Sequence, residues 1–214
     1  MLSRKESMER IKSAKLVAVL RHAELEQVSR AVAALLAGGV DCIEVPISTH
    51  AGIMALPRLK DEFGDRICLG AGSVFNADLA TLAVGMDVDF ISAPGSDIAI
   101  VEVCKARNVL SFPGAMTPTE IIRAWHVGAD LIKVFPADLL TPNYFRNMLT
   151  QVPSISIAAA GGVDANNLAD FLEAGACAAV VGRGLVEESM LQAGDFAAVT
   201  SRAQSLCSVL EGAS

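Results

Sequence analysis

Lys133 stands inside the run Leu131-Ile132-Lys133-Val134-Phe135-Pro136, where β-branched and aromatic neighbours predict a strand. Strand alternation places Leu131, Lys133 and Phe135 on one face and Ile132 and Val134 on the other. An ammonium between packed apolar faces costs several kcal/mol unless it is paired or neutralised, so its pKa falls. A neutral amine of this kind attacks a ketone to form an iminium. A second reading stays open, in which a strand-end lysine snorkels to water or pairs with a core carboxylate. The same alternation turns Glu44, in Cys42-Ile43-Glu44-Val45-Pro46-Ile47, to one face with Cys42 and Pro46. A buried carboxylate beside a lysine is either an inert ion pair or a proton shuttle for imine formation and for the carbon next to the iminium.

Two glycine-rich segments supply a different chemistry. Gly161 and Gly162 follow one apolar run, and Gly182, Arg183 and Gly184 follow the next. Glycines let backbone N–H groups approach an anion closely, and a helix start beyond them adds a favourable dipole. The alternative is tight turns that require positive φ. Ser73, ending Gly70-Ala71-Gly72-Ser73, is either a donor to a substrate carboxylate or a helix cap. Arg21, ending Val19-Leu20-Arg21, offers a bidentate fork for a carboxylate, or is a solvated rim residue. His22 and His50 fall at loop starts and His126 in a helix, without metal-ligand spacing, so no metal site is expected.

These residues need a scaffold. Short β-prone runs recur at 16–21, 42–47, 67–73, 90–94, 109–115, 131–135, 155–161 and 178–182, each followed by a helical pattern. The pattern over 25–37 puts Val28, Ala31, Val32, Leu35 and Leu36 on one face, and Thr117 with Pro118 announces a helix over 119–127. Gly38-Gly39, Gly85, Gly128 and Gly175 each end a helix before an even-numbered strand, a period of about 45 residues or two βα units. Eight near-equal units in 214 residues predict closure into a (β/α)8 TIM barrel, one domain over 1–214, with the residues before Leu16 forming a helix that caps the barrel bottom.

Composition agrees with this reading. Hydrophobic residues make up 52% and aromatics 5%, a mixture suited to close-packed parallel strands under helices. The net charge of -7 and the lack of a basic cluster argue against nucleic acid and anionic membranes as partners. Cys42, Cys68, Cys104, Cys177 and Cys207 are odd in number and scattered, which predicts reduced core residues rather than disulfides. No apolar segment with a small-residue cleavage site follows the charged N-terminus, so the cytoplasm is the expected compartment.

With these residues in place, the sequence resembles the 2-keto-3-deoxy-6-phosphogluconate and 4-hydroxy-2-oxoglutarate aldolases, nearly end to end. The segments that carry the resemblance are VAVLR (17–21), AGGVDCIEV (37–45), GAGSV (70–74), ISAPG (91–95), FPGAMTPTE (112–120), IKVFPAD (132–138) and AGGV (160–163). The resemblance implies a class I, (β/α)8 lyase that cleaves a short 2-keto acid to pyruvate and an aldehyde, with no cofactor, usually as a homotrimer. It makes Lys133 the Schiff-base lysine and Glu44 the general acid/base. It places Arg21 and Ser73 at the pyruvyl carboxylate, Pro94, Pro113 and Phe135 along the pyruvate methylene, and Gly161, Gly162, Gly182, Arg183 and Gly184 at a distal phosphate. Ser48 stands where many members have Arg, Ala160 where many have Thr, and Ser73 where Thr is commoner. These departures bear on the substrate, for which a phosphogalactonate-type relative is one variant. Two rivals remain at this stage: a sugar-phosphate epimerase or isomerase, which needs no imine lysine, and a non-catalytic phosphometabolite-binding barrel, in which Lys133 stays protonated and unreactive.

Overall fold

The computed structural model describes residues 2–21 and 24–212; His22 lies outside them. Among the described residues, nine strands form one parallel sheet: β1 (Leu16–Val19), β2 (Cys42–Pro46), β3 (Cys68–Gly72), β4 (Phe90–Ser92), β5 (Leu110–Phe112), β6 (Gly114–Ala115), β7 (Ile132–Val134), β8 (Ile157–Ala160) and β9 (Ala178–Val181). Their order is β5-β4-β3-β2-β1-β9-β8-β7-β6. The two ends of that series, β5 and β6, are separated only by Pro113. They are the halves of a single strand position, so the sheet closes on itself with eight positions. Pro113 splits the fifth strand because it has no N–H to give the ladder. Its carbonyl still accepts from the Lys133 N–H at 2.8 Å, and Phe135 N donates to Ala115 O at 3.0 Å, which stitches the seam shut.

The helices alternate with the strands, as the periodicity predicts. They are α2 (Leu25–Ala37), α3 (His50–Phe63), α4 (Ala77–Val84), α5 (Ile98–Ala106), α6 (Pro118–His126), α7 (Pro142–Gln151), α8 (Leu168–Glu173), α9 (Glu188–Ala193) and α10 (Phe196–Gly212), preceded by α1 (Arg4–Ala14). Helix α6 starts where Thr117 accepts from the Glu120 N–H and Glu120 accepts in return from the Thr117 N–H. The recurrent glycines behave as expected at Gly39, Gly128 and Gly175, with φ of 93°, 90° and 99°. After α4 the left-handed position is taken by Asp87 (φ 57°), not by Gly85.

Two apolar layers follow from the alternation. Outward-facing residues such as Ile43, Val45, Ile132, Val134 and Ile157 pack beneath the helices. Inward-facing residues, among them Val17, Cys42, Cys68, Phe90, Leu110, Leu131 and Ala158, fill the barrel. Ile11 of α1 is fully buried against this inner set, so α1 plugs the bottom as expected. Ion pairs of Arg4 with Asp130 and of Arg10 with Asp41 (2.9 Å) tie it down, as does the Leu2 N–H bond to Asp89 at 2.6 Å. Among the described residues, no helix is long and apolar enough to cross a membrane.

Candidate active site

Apolar packing fills the barrel bottom, so the polar inward residues sit nearer the C-terminal mouth, where barrel chemistry is placed. Lys133, on β7, is 7% exposed, and Glu44, on β2, is 1% exposed. Lys133 Nζ lies 3.9 Å from Glu44 Oε2, and it donates to Ser92 Oγ on β4 at 2.6 Å. Oε2 of Glu44 has no hydrogen-bond partner among the described residues. An inert buried pair satisfies its polar atoms within the protein, whereas this oxygen meets no donor among the described residues and borders a cavity. Burial holds the Lys133 pKa below the ordinary lysine value; Glu44 pulls it back up and Arg21 pushes it further down. The lysine is thereby biased towards the neutral amine that an imine requires.

Gly72, at the end of β3, makes room for the carboxylate. A Cβ there would fall 2.2 Å from Glu44 Oε1. On the opposite wall the inward residues of β8 and β9 are small, among them Ala158, Ala160 and Ala178, and a cavity of about 960 Å³ opens above them. Arg21, Glu44, Lys133, Phe135, Gly161, Gly162, Gly182, Arg183 and Gly184 all line it. The structure therefore gathers around one cavity residues that span most of the chain. Arg21 and Arg183 are exposed at the rim, and Phe135 is 36% exposed.

Ser73, Pro94 and Pro113 do not line that cavity. Ser73 follows β3 with a left-handed φ of 57°, and Pro94 is exposed beyond β4. Pro113 is buried in the seam behind Lys133. Ser48 is exposed and shares a smaller neighbouring cleft with Arg21.

Gly161 and Gly162 adopt φ of 86° and 68°. Side chains there would also meet the Phe135 ring at 3.0 Å and Asp138 Cβ at 2.2 Å, respectively. Backbone shape alone thus requires this glycine pair, with or without an anion. The helices beyond the glycine-rich ends are six residues each, and α8 begins only at Leu168, so any anion held here relies on loop N–H groups and Arg183 rather than on a long helix dipole.

Residues not singled out from the sequence also reach the site. Asp138, Glu187 and Glu188 line the same cavity. Glu187 pairs with Arg202 at 2.8 Å, and Glu188 accepts from Gln192 at 3.0 Å. Ser92 carried a signal that was there to be used, since it lies two residues after the inward Phe90 and so on the same face.

The fold and the position of this cavity are those of a barrel enzyme working at the C-terminal ends of its strands. A model of the KDPG and KHG aldolases matches residues 8–202. The 2-dehydro-3-deoxy-phosphogluconate aldolase of Treponema pallidum is 30% identical over 200 residues, which cover 93% of each chain. The 2-dehydro-3-deoxy-6-phosphogalactonate aldolase of Escherichia coli is 29% identical over 188 residues, 85% of this chain and 92% of that one. A solved structure of native KDPGal aligns with a TM-score of 0.87 at 26% identity, covering 92% of this chain and 95% of that chain. The chain belongs to the KDPG and KHG aldolase family and is an aldolase, a carbon–carbon lyase. The epimerase and binding-protein readings are thereby set aside.

Proposed function

We propose that the protein cleaves a six-carbon 2-keto-3-deoxy-6-phospho sugar acid to pyruvate and glyceraldehyde 3-phosphate through a Schiff base on Lys133. The observation that carries this is the buried, pKa-lowered Lys133 at the cavity wall, 3.9 Å from a carboxylate oxygen that has no hydrogen-bond partner among the described residues.

Neutral Lys133 attacks the C2 ketone to give a carbinolamine, and Glu44 protonates the departing hydroxide, which leaves as water and yields the iminium. Loss of the C4 hydroxyl proton, relayed through Glu44 and water, drives cleavage of the C3–C4 bond. The bonding pair flows to the C2 iminium, leaving an enamine and the aldehyde. Protonation of the enamine at C3 and addition of water release pyruvate and regenerate the amine.

Arg21 holds the carboxylate from the rim of the cavity that it lines. Phe135 covers the pyruvyl methylene, and Pro94 and Pro113 shape the strand ends beside it. Arg183 and the backbone N–H groups of Gly161, Gly162, Gly182 and Gly184 receive the phosphate. The relatives act on both phosphogluconate and phosphogalactonate compounds, so the proposal covers either sugar configuration. A second reading, an unphosphorylated acid such as 4-hydroxy-2-oxoglutarate yielding glyoxylate, draws support from Asp138, Glu187 and Glu188 on the cavity wall, because carboxylates there oppose a dianion.

The test is borohydride trapping with pyruvate, read by intact mass and peptide mapping. One reduced pyruvyl group should appear on the peptide containing Ile132-Lys133-Val134, and Lys133→Ala should abolish label and cleavage while remaining folded. A label on another lysine, or none, refutes the assignment. We also propose a homotrimer working in the cytoplasm; sedimentation at a monomer mass refutes the trimer.

A further inference from the structure

Ser92 is fully buried on the inward face of β4, and its Oγ has one partner among the described residues, the Lys133 amine at 2.6 Å. A hydroxyl placed in a barrel interior costs stability unless it is bonded, and packing alone would be served as well by alanine or valine. Its presence is explained by the lysine, not by the core. Glu44 does not aim that lysine, because 3.9 Å is beyond hydrogen-bond reach. The Phe112 ring, with its centroid 6.0 Å from Nζ, bounds the amine but offers it no acceptor lone pair.

We propose that Ser92 is the positioning residue of the Schiff-base lysine, accepting one N–H of the neutral amine so that its lone pair faces the cavity, and then accepting the single N–H of the iminium. The proposal rests on Lys133 forming the imine. A neutral hydroxyl performs this task without adding charge to a site in which Glu44 and Arg21 already act on the amine, and whose cavity Asp138, Arg183, Glu187 and Glu188 also line. It fixes the end of a side chain with four rotatable bonds, and it leaves the Glu44 carboxylate free to move protons. Ser92 therefore acts through Lys133 and need not touch substrate.

The experiment compares wild type, Ser92→Ala and Ser92→Thr, measuring pyruvate–borohydride labelling rate and kcat/KM across pH, with thermal melts as a check on folding. Ser92→Ala should slow labelling and kcat about tenfold, the effect of one hydrogen bond, with KM changed far less. Its acid limb should move to lower pH, because the ammonium loses an acceptor that favoured it. Ser92→Thr, which keeps the hydroxyl, should restore most of the rate; if it melts early, the alanine result decides. Wild-type labelling on Lys133 together with an unshifted limb and an unchanged rate in Ser92→Ala overturns the Ser92 proposal alone. Absence of label in wild type overturns the Schiff-base reading, and Ser92 falls with it.

Discussion

Replacing Gly72 by alanine tests whether Glu44 must occupy its observed position. The φ of Gly72 is not in the left-handed region, so alanine adopts the backbone without strain. The added Cβ would lie 2.2 Å from Oε1 and 2.7 Å from both Cδ and Cγ of Glu44, where ordinary contact begins at 3.4 Å. The carboxylate must therefore retreat by about 1 Å or more, a misplacement that costs on the order of 100-fold in rate at a reacting centre. It has the cavity to retreat into, so the fold should survive with an overpacking cost of about 1–3 kcal/mol. For a chain of this size that lowers Tm by roughly 2–12 °C. The assay is pyruvate release coupled to its reduction, followed as kcat and KM for Gly72→Ala, Glu44→Gln and the double variant. Because Gly72→Ala acts through Glu44, it should cost little further kcat in the Glu44→Gln background. A Gly72→Ala enzyme with kcat near wild type, or costs that simply multiply in the double variant, would refute the reasoning.

Glu44→Gln keeps the shape and removes the exchangeable proton, so kcat should fall by about 100-fold to 10,000-fold at unchanged fold; a loss under about threefold would make Glu44 structural only. Arg21→Ala should raise KM for pyruvate-forming substrates roughly tenfold to 100-fold, since the exposed Ser48 cannot replace a guanidinium fork; an unchanged KM would place the carboxylate elsewhere. Arg183→Ala should lower kcat/KM for phosphorylated substrates by a similar factor and leave unphosphorylated analogues alone, and indifference of both would remove the phosphate from this wall. Burial lowers the Lys133 pKa, and the folded enzyme reacts as the amine, so activity should fall as pH drops through that folded-state value. The acid limb assigned to Lys133 should therefore lie below the titration range of an exposed lysine, and a limb within that range would contradict the buried amine.

Much of this was legible along the chain, for reasons that are local. Strand alternation has period two, so it reported that Lys133 shares a face with Leu131, and Glu44 with Cys42, before any partner strand was known. Capping chemistry marked the start of α6 at Thr117 to within a residue. The split of the fifth strand followed from Pro113, a residue visible in the sequence, but which ladder it interrupted depended on its neighbours. The glycines after β8 were readable as an anion cradle or as tight turns, and positive φ together with the crowding of Phe135 and Asp138 established the turn requirement.

By itself, the sequence determined the units, their inward faces and the candidate pair, Lys133 and Glu44. Only the tertiary structure decided that Glu44 Oε2 meets no hydrogen-bond donor among the described residues, that Gly72 clears its space, and that the hydroxyl meeting Lys133 comes from Ser92, 41 residues away. It also decided that Asp138, Glu187 and Glu188 line the same cavity as Arg183. The pattern of one strand specifies which side chains point inward. Which of them meet across the barrel depends on strand tilt and register, set by the closure of the whole sheet.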